Sequence, residues 1–348
     1  MTAPAVPPAR VVICNDSAAI RGAIARILES DPGIQVVGMA GNGRMAIDAV
    51  KQTKVDVLVL DIEMPVMDGM TALPLLLEAS PGLRIIIASN LTTRGGDLAL
   101  RALRLGAADY VPNPSSIGTA QDETFRREMI GKVMGLVPRH PAPDLIPPLR
   151  RAPLQAPRLL AIGSSTGGPQ ALFTLFQGLG RSLNVPVILT QHMPAAFTPI
   201  LASHIDRLGM LPCAEAKEGE MLCPDRIYLA PGDRHLLIEK HGTGLRARLT
   251  ADPPENYCRP AVDPMLRAAS EACGGRVLVA MLTGMGQDGL AGTTGIVASG
   301  GTAVAQDEAT SVVWGMPGAI ARAGLCHAVL PLPLMASKLR DLLRVPVR

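Results

Sequence analysis

The sequence predicts two α/β domains, each built on a parallel doubly wound sheet, joined by an extended proline-rich segment. Three observations carry this. Short apolar runs alternate with amphipathic segments from Arg10 to about Gly135, and the alternation resumes after Arg158 in a different pattern. Between Val137 and Pro157 the periodicity vanishes, and prolines stand at 138, 141, 143, 147, 148, 153 and 157. Regular strand–helix alternation lays helices on both faces of a parallel sheet, whereas clustered prolines make a stiff linker. The expected organisation is a first domain over 1–136, a linker over 137–157 and a second domain over 158–348.

The first domain begins with the strand RVVIC and a helix from Ala18 to Leu28, followed by IQVVGMA and a helix from Arg44 to Val50. VDVLVLD and LRIIIAS are further strands, the latter leading to a helix from Asp97 to Leu105; ADYVP and a helix near Glu123 to Met134 close the unit. Five strands and five helices suit one such domain. The second domain opens with RLLAIG and its helix, then NVPVILTQH, IYLAP with HLLIE, a helix from Val262 to Ala272, RVLVAMLTG, a helix near Gly289 to Ala298, GTAVAQ and a last helix from Leu334 to Leu343. No internal repeat relates the halves.

Composition narrows the function. A chain of 348 residues, 48% hydrophobic and 18% charged, is ordinarily globular. A net charge of +3 with four Phe, three Tyr and one Trp gives neither the electrostatic footprint nor the stacking surface of a nucleic-acid binder. The six cysteines show no C-x-x-C spacing, so free thiols in a reducing cytoplasm are expected. The start MTAPAVPPAR lacks a charged region followed by an apolar run, so no secretory signal is expected. The longest uncharged stretch, Leu159 to Gly180, is broken by glycines and Pro169 and suits a buried strand plus helix better than a membrane span.

Chemistry is expected at two sheet edges. Asp16 follows the first strand and Asp61 ends the third; in a flavodoxin-like sheet these strands are neighbours at the switch point, so both carboxylates converge where ligands bind. A divalent cation with oxygen ligands would relieve their repulsion and orient a phosphoryl donor. Each aspartate alone also reads as a helix or turn cap. In the second domain, LLAIGSSTGG contains G-x-S-x-G with Ser165 at its centre. A serine on a sharp strand-to-helix turn is held where a base can reach it, with helix N–H groups behind it for an oxyanion; the same glycine-rich turn could instead cradle a phosphate.

Ser165 needs a base oriented by an acid. His192 follows the strand VPVILTQ and reaches the same edge. His140 and His241 fall in linker and turn, His204 and His235 within helical or strand-like patterns, and His327 is the rival. Asp288, in LTGMGQDG directly after another strand, is the candidate acid, although a turn or cap aspartate reads equally well there. The order Ser165, His192, Asp288 differs from the Ser, acid, His order of α/β-hydrolases, which points to a different scaffold.

In the first domain NDSAAIR, DIEMPVMDG, Ser89 and LGAADYVPNP resemble the response-regulator receiver family. The resemblance implies phosphorylation of Asp61 by a sensor histidine kinase, Mg2+ held by Asp16, Asp61 and the main-chain carbonyl of Glu63, and Ser89 and Tyr110 as switch residues. Asn15 and Asn113 stand where that family has an acid and a lysine. Weaker Mg2+ binding, with Asn15 holding a metal-bound water, and a slow or partly uncoupled switch are therefore expected.

In the second domain IGSSTGGP, QHMP, YLAPGDRHL, RPAVDPM, LTGMGQDG and QDEATSVVWGMP resemble the catalytic domain of the CheB family of chemotaxis protein-glutamate methylesterases. That resemblance implies a cytoplasmic enzyme, without membrane insertion or a cofactor for the esterase chemistry, that hydrolyses glutamate γ-methyl esters on chemoreceptors and deamidates receptor glutamines. It makes Ser165 the nucleophile, His192 the base, Asp288 its orienting acid, Met285 an oxyanion donor and Thr166 a pocket residue, with the receiver packed against the active-site face until Asp61 is phosphorylated. Arg259 and Asp263 would either position the receptor helix or pair with each other. The alternatives are a non-catalytic phosphate- or nucleotide-binding regulator and a related hydrolase of small esters.

Overall fold

The computed structural model describes residues 7–89, 92–112, 122–137, 147, 149–150 and 155–344. The chain divides into two compact units, Met1–His140 and Pro141–Arg348.

In the first unit β1 (Ala9–Cys14), α1 (Ala18–Leu28), β2 (Ile34–Ala40), α2 (Gly43–Gln52), β3 (Val57–Asp61), α3 (Gly69–Ala79), β4 (Arg84–Ser89), α4 (Thr93–Arg104), β5 (Asp109–Pro112) and α5 (Asp122–Leu136) alternate along the chain. The five strands pair in parallel in the order β2-β1-β3-β4-β5. Every residue of β3 is buried, because helices cover both faces of a central parallel strand, so Val57 to Leu60 are apolar without alternation and only the terminal Asp61 is charged. Helix starts are set locally: Ser17 accepts from Ile20 N, Asn42 from Met45 N, Asp68 from Thr71 N and Thr92 from Gly95 N, each satisfying an N–H the helix leaves unpaired. The helix whose position the sequence pattern did not single out is α3; it carries Pro74 and lies between DIEMPVMDG and β4.

In the second unit seven strands form one parallel sheet: β6 (Leu159–Ser164), β7 (Val187–Gln191), β8 (Cys213–Glu215), β9 (Ile227–Leu229), β12 (Val277–Met281), β13 (Thr302–Gln306) and β14 (Cys326–Leu330). Their order is β14-β13-β12-β6-β7-β9-β8. The chain builds outward from β6 through β7, then returns to β12 on the other side, so the switch point lies between β6 and β12, the place where open α/β sheets bind ligands at the carboxyl edge. The helices are α6 (Gly168–Leu179), α7 (Thr198–Asp206), α8 (Val262–Cys273), α9 (Leu290–Ala298), α10 (Met316–Arg322) and α11 (Leu332–Leu343).

The run HLLIE departs from the expected series. It belongs to β10 (His235–His241), which pairs antiparallel with β11 (Gly244–Thr250) in a separate hairpin. Leu236 and Ile238 of β10 are buried and join the core with Met265, Leu266 and Ala269 of α8. An apolar run has the same composition in either sheet; what assigns it here is the hairpin turn at Gly242 and the apolar face that α8 offers. The edge strands β8 and β14 are only partly buried, and the sequence pattern did not single them out.

Candidate active site

The parallel register places Ser164 of β6 opposite Gln191 of β7 and Gly163 opposite Met281 of β12. Ser165 and His192, one residue beyond each strand, therefore share one edge, and the loop after β12 returns Asp288 to it. The adjacent serines are separated by their partners. Ser164 is fully buried and donates to Gln191 Oε1 at 2.7 Å, while Gln191 Nε2 donates to the carbonyls of Ser165 and His192. Ser164 is thus spent on bracing the turn, and Ser165 is the hydroxyl left at the edge. The turn closes through Gly167, whose φ of 74° starts α6 in a left-handed conformation natural to glycine. Gly284 lets the β12 loop approach: a Cβ there would stand 2.9 Å from Ser165 Cβ.

His192 Nε2 and Asp288 Oδ2 are 2.7 Å apart, with the side chains 11% and 2% exposed. Asp288 also accepts main-chain N–H groups: Val262 on Oδ2, and Asp263 and Gly289 on Oδ1. Two of these donors come from the start of α8, so the carboxylate sits on a helix N-terminus. Burial works against its charge, but the His192 contact and these N–H groups outweigh it and hold the carboxyl below its ordinary range. His192 is shifted upward: burial opposes its protonation, and the Cys258 sulfur and the Asp288 carboxylate overcome burial. Since Nε2 is committed to Asp288, Nδ1 is the nitrogen that can take a proton; it lies 3.4 Å from Cys258 Sγ.

Thr166 is 2% exposed, and its hydroxyl is buried without a hydrogen-bond partner among the described residues. The N–H groups of Thr166 and Met285 carry no main-chain hydrogen bond among those residues, whereas Ser165 N is spent on Thr283 O. Both N–H groups are therefore unspent in the main-chain bonding of the loops after β6 and β12.

The remaining histidines hold other places. His235 is buried and accepts from Ala261 N through Nδ1, His204 is buried on α7, and His241 is exposed in the hairpin turn. His327 binds the Arg150 carbonyl rather than a carboxylate or serine. His140 lies outside the described residues. Arg259 and Asp263 do not pair: Arg259 donates to the carbonyls of Ala251 and Asp252, and Asp263, 4% exposed, accepts from Gly292 N and Asn256 Nδ2. A carboxylate so buried faces the Asp288 loop, not an incoming helix.

Sequence reasoning missed Gln191, Asn256 and Cys258. Gln191 and Cys258 each stand beside a singled-out residue, but their contacts are with residues 27 and 66 positions away. Asn256 sits in a segment without periodicity.

In the first unit Asp61 lies at the edge of β3, lining a cleft with Glu63, Ser89, Thr92 and Gly95. Burial raises its carboxyl to about 6; N–H groups of Glu63 and Ile62 oppose this, and the charges of Asp16 and Glu63 add to it. Asn15, 1% exposed, donates from Nδ2 to Asp61 Oδ2 at 2.6 Å, and its Oδ1 accepts from Ser17 N. In this arrangement one N–H and one lone pair of the Asn15 amide are engaged by protein, and Oδ1 keeps a second lone pair. Asp16 is exposed, and Glu63 places its side chain 3.7 Å from Arg94. Among the described residues no group of three or more His, Cys, Asp or Glu gathers as a metal site. Ser89 donates to Gly95 O. Tyr110 is buried beneath Lys132, whose Nζ binds the Tyr110 carbonyl and pairs with Asp109 and Glu128. This buried cation, 22 residues from Tyr110, was not singled out in the sequence. Asn113 lies outside the described residues.

Among the described residues no helix is long and apolar enough to cross a membrane. The CheB methylesterase family model matches residues 160–339, and the response regulator receiver domain model matches residues 11–122. The protein-glutamate methylesterase/protein-glutamine glutaminase 1 of Paramagnetospirillum magneticum is 49% identical, with 96% of each chain covered. The protein-glutamate methylesterase/protein-glutamine glutaminase of Azospirillum brasilense is 50% identical over 93% of this chain and 90% of its own. The crystal structure of the Thermotoga maritima CheB methylesterase catalytic domain, 37% identical, covers 54% of this chain and all of its own with a TM-score of 0.53. The chain therefore belongs to the CheB methylesterase family, with a response regulator receiver domain ahead of its catalytic domain.

Proposed function

We propose that the protein hydrolyses glutamate γ-methyl esters, and deamidates glutamines, on chemoreceptors by a Ser165–His192–Asp288 mechanism governed by phosphorylation of Asp61. The observation that carries this reading is the 2.7 Å contact between His192 Nε2 and the buried, N–H-anchored Asp288 at the edge that Ser165 occupies.

Ser165 Oγ attacks the γ-carbonyl carbon while His192 Nδ1 takes the hydroxyl proton, and Asp288 stabilises the imidazolium so formed. The carbonyl oxygen becomes an oxyanion to which the N–H groups of Thr166 and Met285 can donate. Collapse expels methanol, or ammonia from a glutamine, which leaves with the proton from His192. Water then enters by the same route and releases glutamate and free Ser165. The chemistry closes on protein groups alone.

In the receiver, residues 1–136 ahead of a 137–157 linker, Asp61 is the phosphoacceptor for a sensor histidine kinase. The uncompensated acidity around it fits a divalent cation: Asp16 and Glu63 both work against its ionisation. Mg2+ held by Asp16, Asp61 and the Glu63 carbonyl would neutralise the donor's phosphoryl oxygens. Asn15 and Ser89 orient the site, and the Asn15 bond holds Asp61 Oδ2 in the resting receiver, in keeping with a slow switch. Regulation of residues 158–348 by the receiver predicts higher basal activity on removal of residues 1–137.

The decisive experiment is methanol release from methylated receptor membranes. Ser165→Ala abolishes it while Ser164→Ala does not; retained release in Ser165→Ala overturns the catalytic assignment.

A further inference from the structure

Beyond the three proposed catalytic residues, one short turn grips both members of the His192–Asp288 pair. Glu255 and Cys258 exchange two main-chain hydrogen bonds, 3.1 Å from Glu255 N and 2.9 Å from Cys258 N. Between them Asn256 and Tyr257 have φ of 52° and 64°. Two successive left-handed residues inside a paired flank make a type I′ turn, a tight and stiff connection. Its base is pinned to α8 by a bidentate Arg267–Glu255 pair at 2.7 and 2.6 Å. The turn reaches the site at two points: from its tip Asn256 Nδ2 lies 2.9 Å from Asp288 Oδ1 and 3.1 Å from Asp263 Oδ2, and from its flank Cys258 Sγ lies 3.4 Å from His192 Nδ1.

Each contact bears on a proton. Asp263 and Asp288 are both nearly fully buried, and the single amide between them is the side-chain donor they share. Two carboxylates this close raise each other's affinity for protons, and a shared donor lowers it. On the imidazole, Nε2 is taken by Asp288, so Nδ1 is the one nitrogen open to Ser165, and Cys258 stands against it. The ionisable groups around the pair are few: Cys258 on the turn, Asp263 and Arg267 on α8, Glu255 at the turn base, and His235 on β10, which acts on Glu255.

We propose that the Glu255–Cys258 turn is a positioning clip on the general base, in which Asn256 fixes the Asp288 carboxylate and Cys258 occupies the His192 nitrogen that Ser165 must reach. The clip rests on the hydrolase reading given above and deepens it. In the resting enzyme Cys258 Sγ stands at the Nδ1 position, and productive substrate binding transfers that position to Ser165. The Cys258 sulfur raises the proton affinity of His192, in keeping with this role.

The two arms act on the proton in opposite directions. Cys258→Ala removes a group that favours imidazolium, so the acidic limb of kcat/KM moves to lower pH by about one unit. Asn256→Gly keeps the left-handed backbone but removes the shared donor; Asp288 becomes more basic, the His192–Asp288 pair holds its proton more tightly, and the limb moves to higher pH by about one unit. Cys258→Ser restores an acceptor for the Nδ1 proton and places the limb between Cys258→Ala and the parent. The assay is the pH profile of methanol release from methylated receptor membranes by the full chain, with Ser165→Ala in parallel. Opposite shifts support the clip. Shifts in one direction, or a loss of kcat/KM with the limb unmoved in either variant, overturn it, because packing alone scales the rate without moving a proton. Abolished release in Ser165→Ala together with unmoved limbs is failure of the clip; retained release in Ser165→Ala is failure of the hydrolase reading.

Discussion

Asp61→Asn should stabilise the receiver at alkaline pH and lose that advantage in acid. In the folded chain the carboxyl is raised from 3.8 to about 6, first by burial and then by Asp16 and Glu63. A folded value above the unfolded one means the native state binds more protons across that window, so native stability falls as pH rises from about 4 to about 6 and levels off above. Near 1.4 kcal/mol per pH unit, charging Asp61 in the fold costs about 3 kcal/mol. Asparagine abolishes this cost but gives up a charge-assisted bond from Asn15 Nδ2, leaving a net gain of about 2 kcal/mol at pH 8. The assay is hydrogen exchange of the full chain with a chelator present, read on peptides from β1, β3 and β4, so that the second unit does not enter. A variant equal to or less stable than the parent at pH 8, or an advantage that grows towards pH 4, would refute the account of Asp61 as a carboxylate held in an unfavourable place.

Gly284→Ala forces a methyl between Met316 Sδ and Ser165 Cβ; the serine is pushed out of line, and methanol release falls at least about tenfold with a stability loss of about 1–3 kcal/mol in urea denaturation. Ser164→Ala leaves Gln191 Oε1 buried without its donor, costing about 1–3 kcal/mol of stability while kcat changes far less than for Ser165→Ala. Lys132→Met strips the cation from buried Asp109, and receiver peptides should lose about 3–5 kcal/mol of exchange protection. Asp288→Asn keeps the main-chain anchors of one oxygen but removes the charge facing His192, and kcat should drop by about four orders of magnitude.

Much of the architecture was legible because it follows from local physics. Strands such as VLVLD and LLAIGS are apolar up to their last one or two residues, helices of the first unit begin at capping residues, and such alternation favours a parallel sheet with right-handed crossovers. The sheet in turn sends the ends of β6, β7 and β12 to one edge, which is why Ser165, His192 and Asp288 could be named together. Where this logic failed, the deciding contact lay elsewhere in the chain. HLLIE reads as one more strand of the series until α8 covers it as a hairpin. Arg259 and Asp263 read as a pair until their partners are seen to be carbonyls of Ala251 and Asp252 for one, and Gly292 N and Asn256 for the other.

The sequence by itself determined the two-domain α/β plan, the edges at which chemistry could occur and the residue types standing there, because strand order, capping and periodicity are encoded within short windows. Only the tertiary structure decided which serine is bound to Gln191 and which is left at the edge, which imidazole nitrogen Asp288 occupies, and that Asn15 lies on Asp61. It also brought Asn256 and Cys258 against the same His192–Asp288 pair. These are hydrogen bonds between residues tens of positions apart, and their angles and distances exist only once the intervening chain has packed.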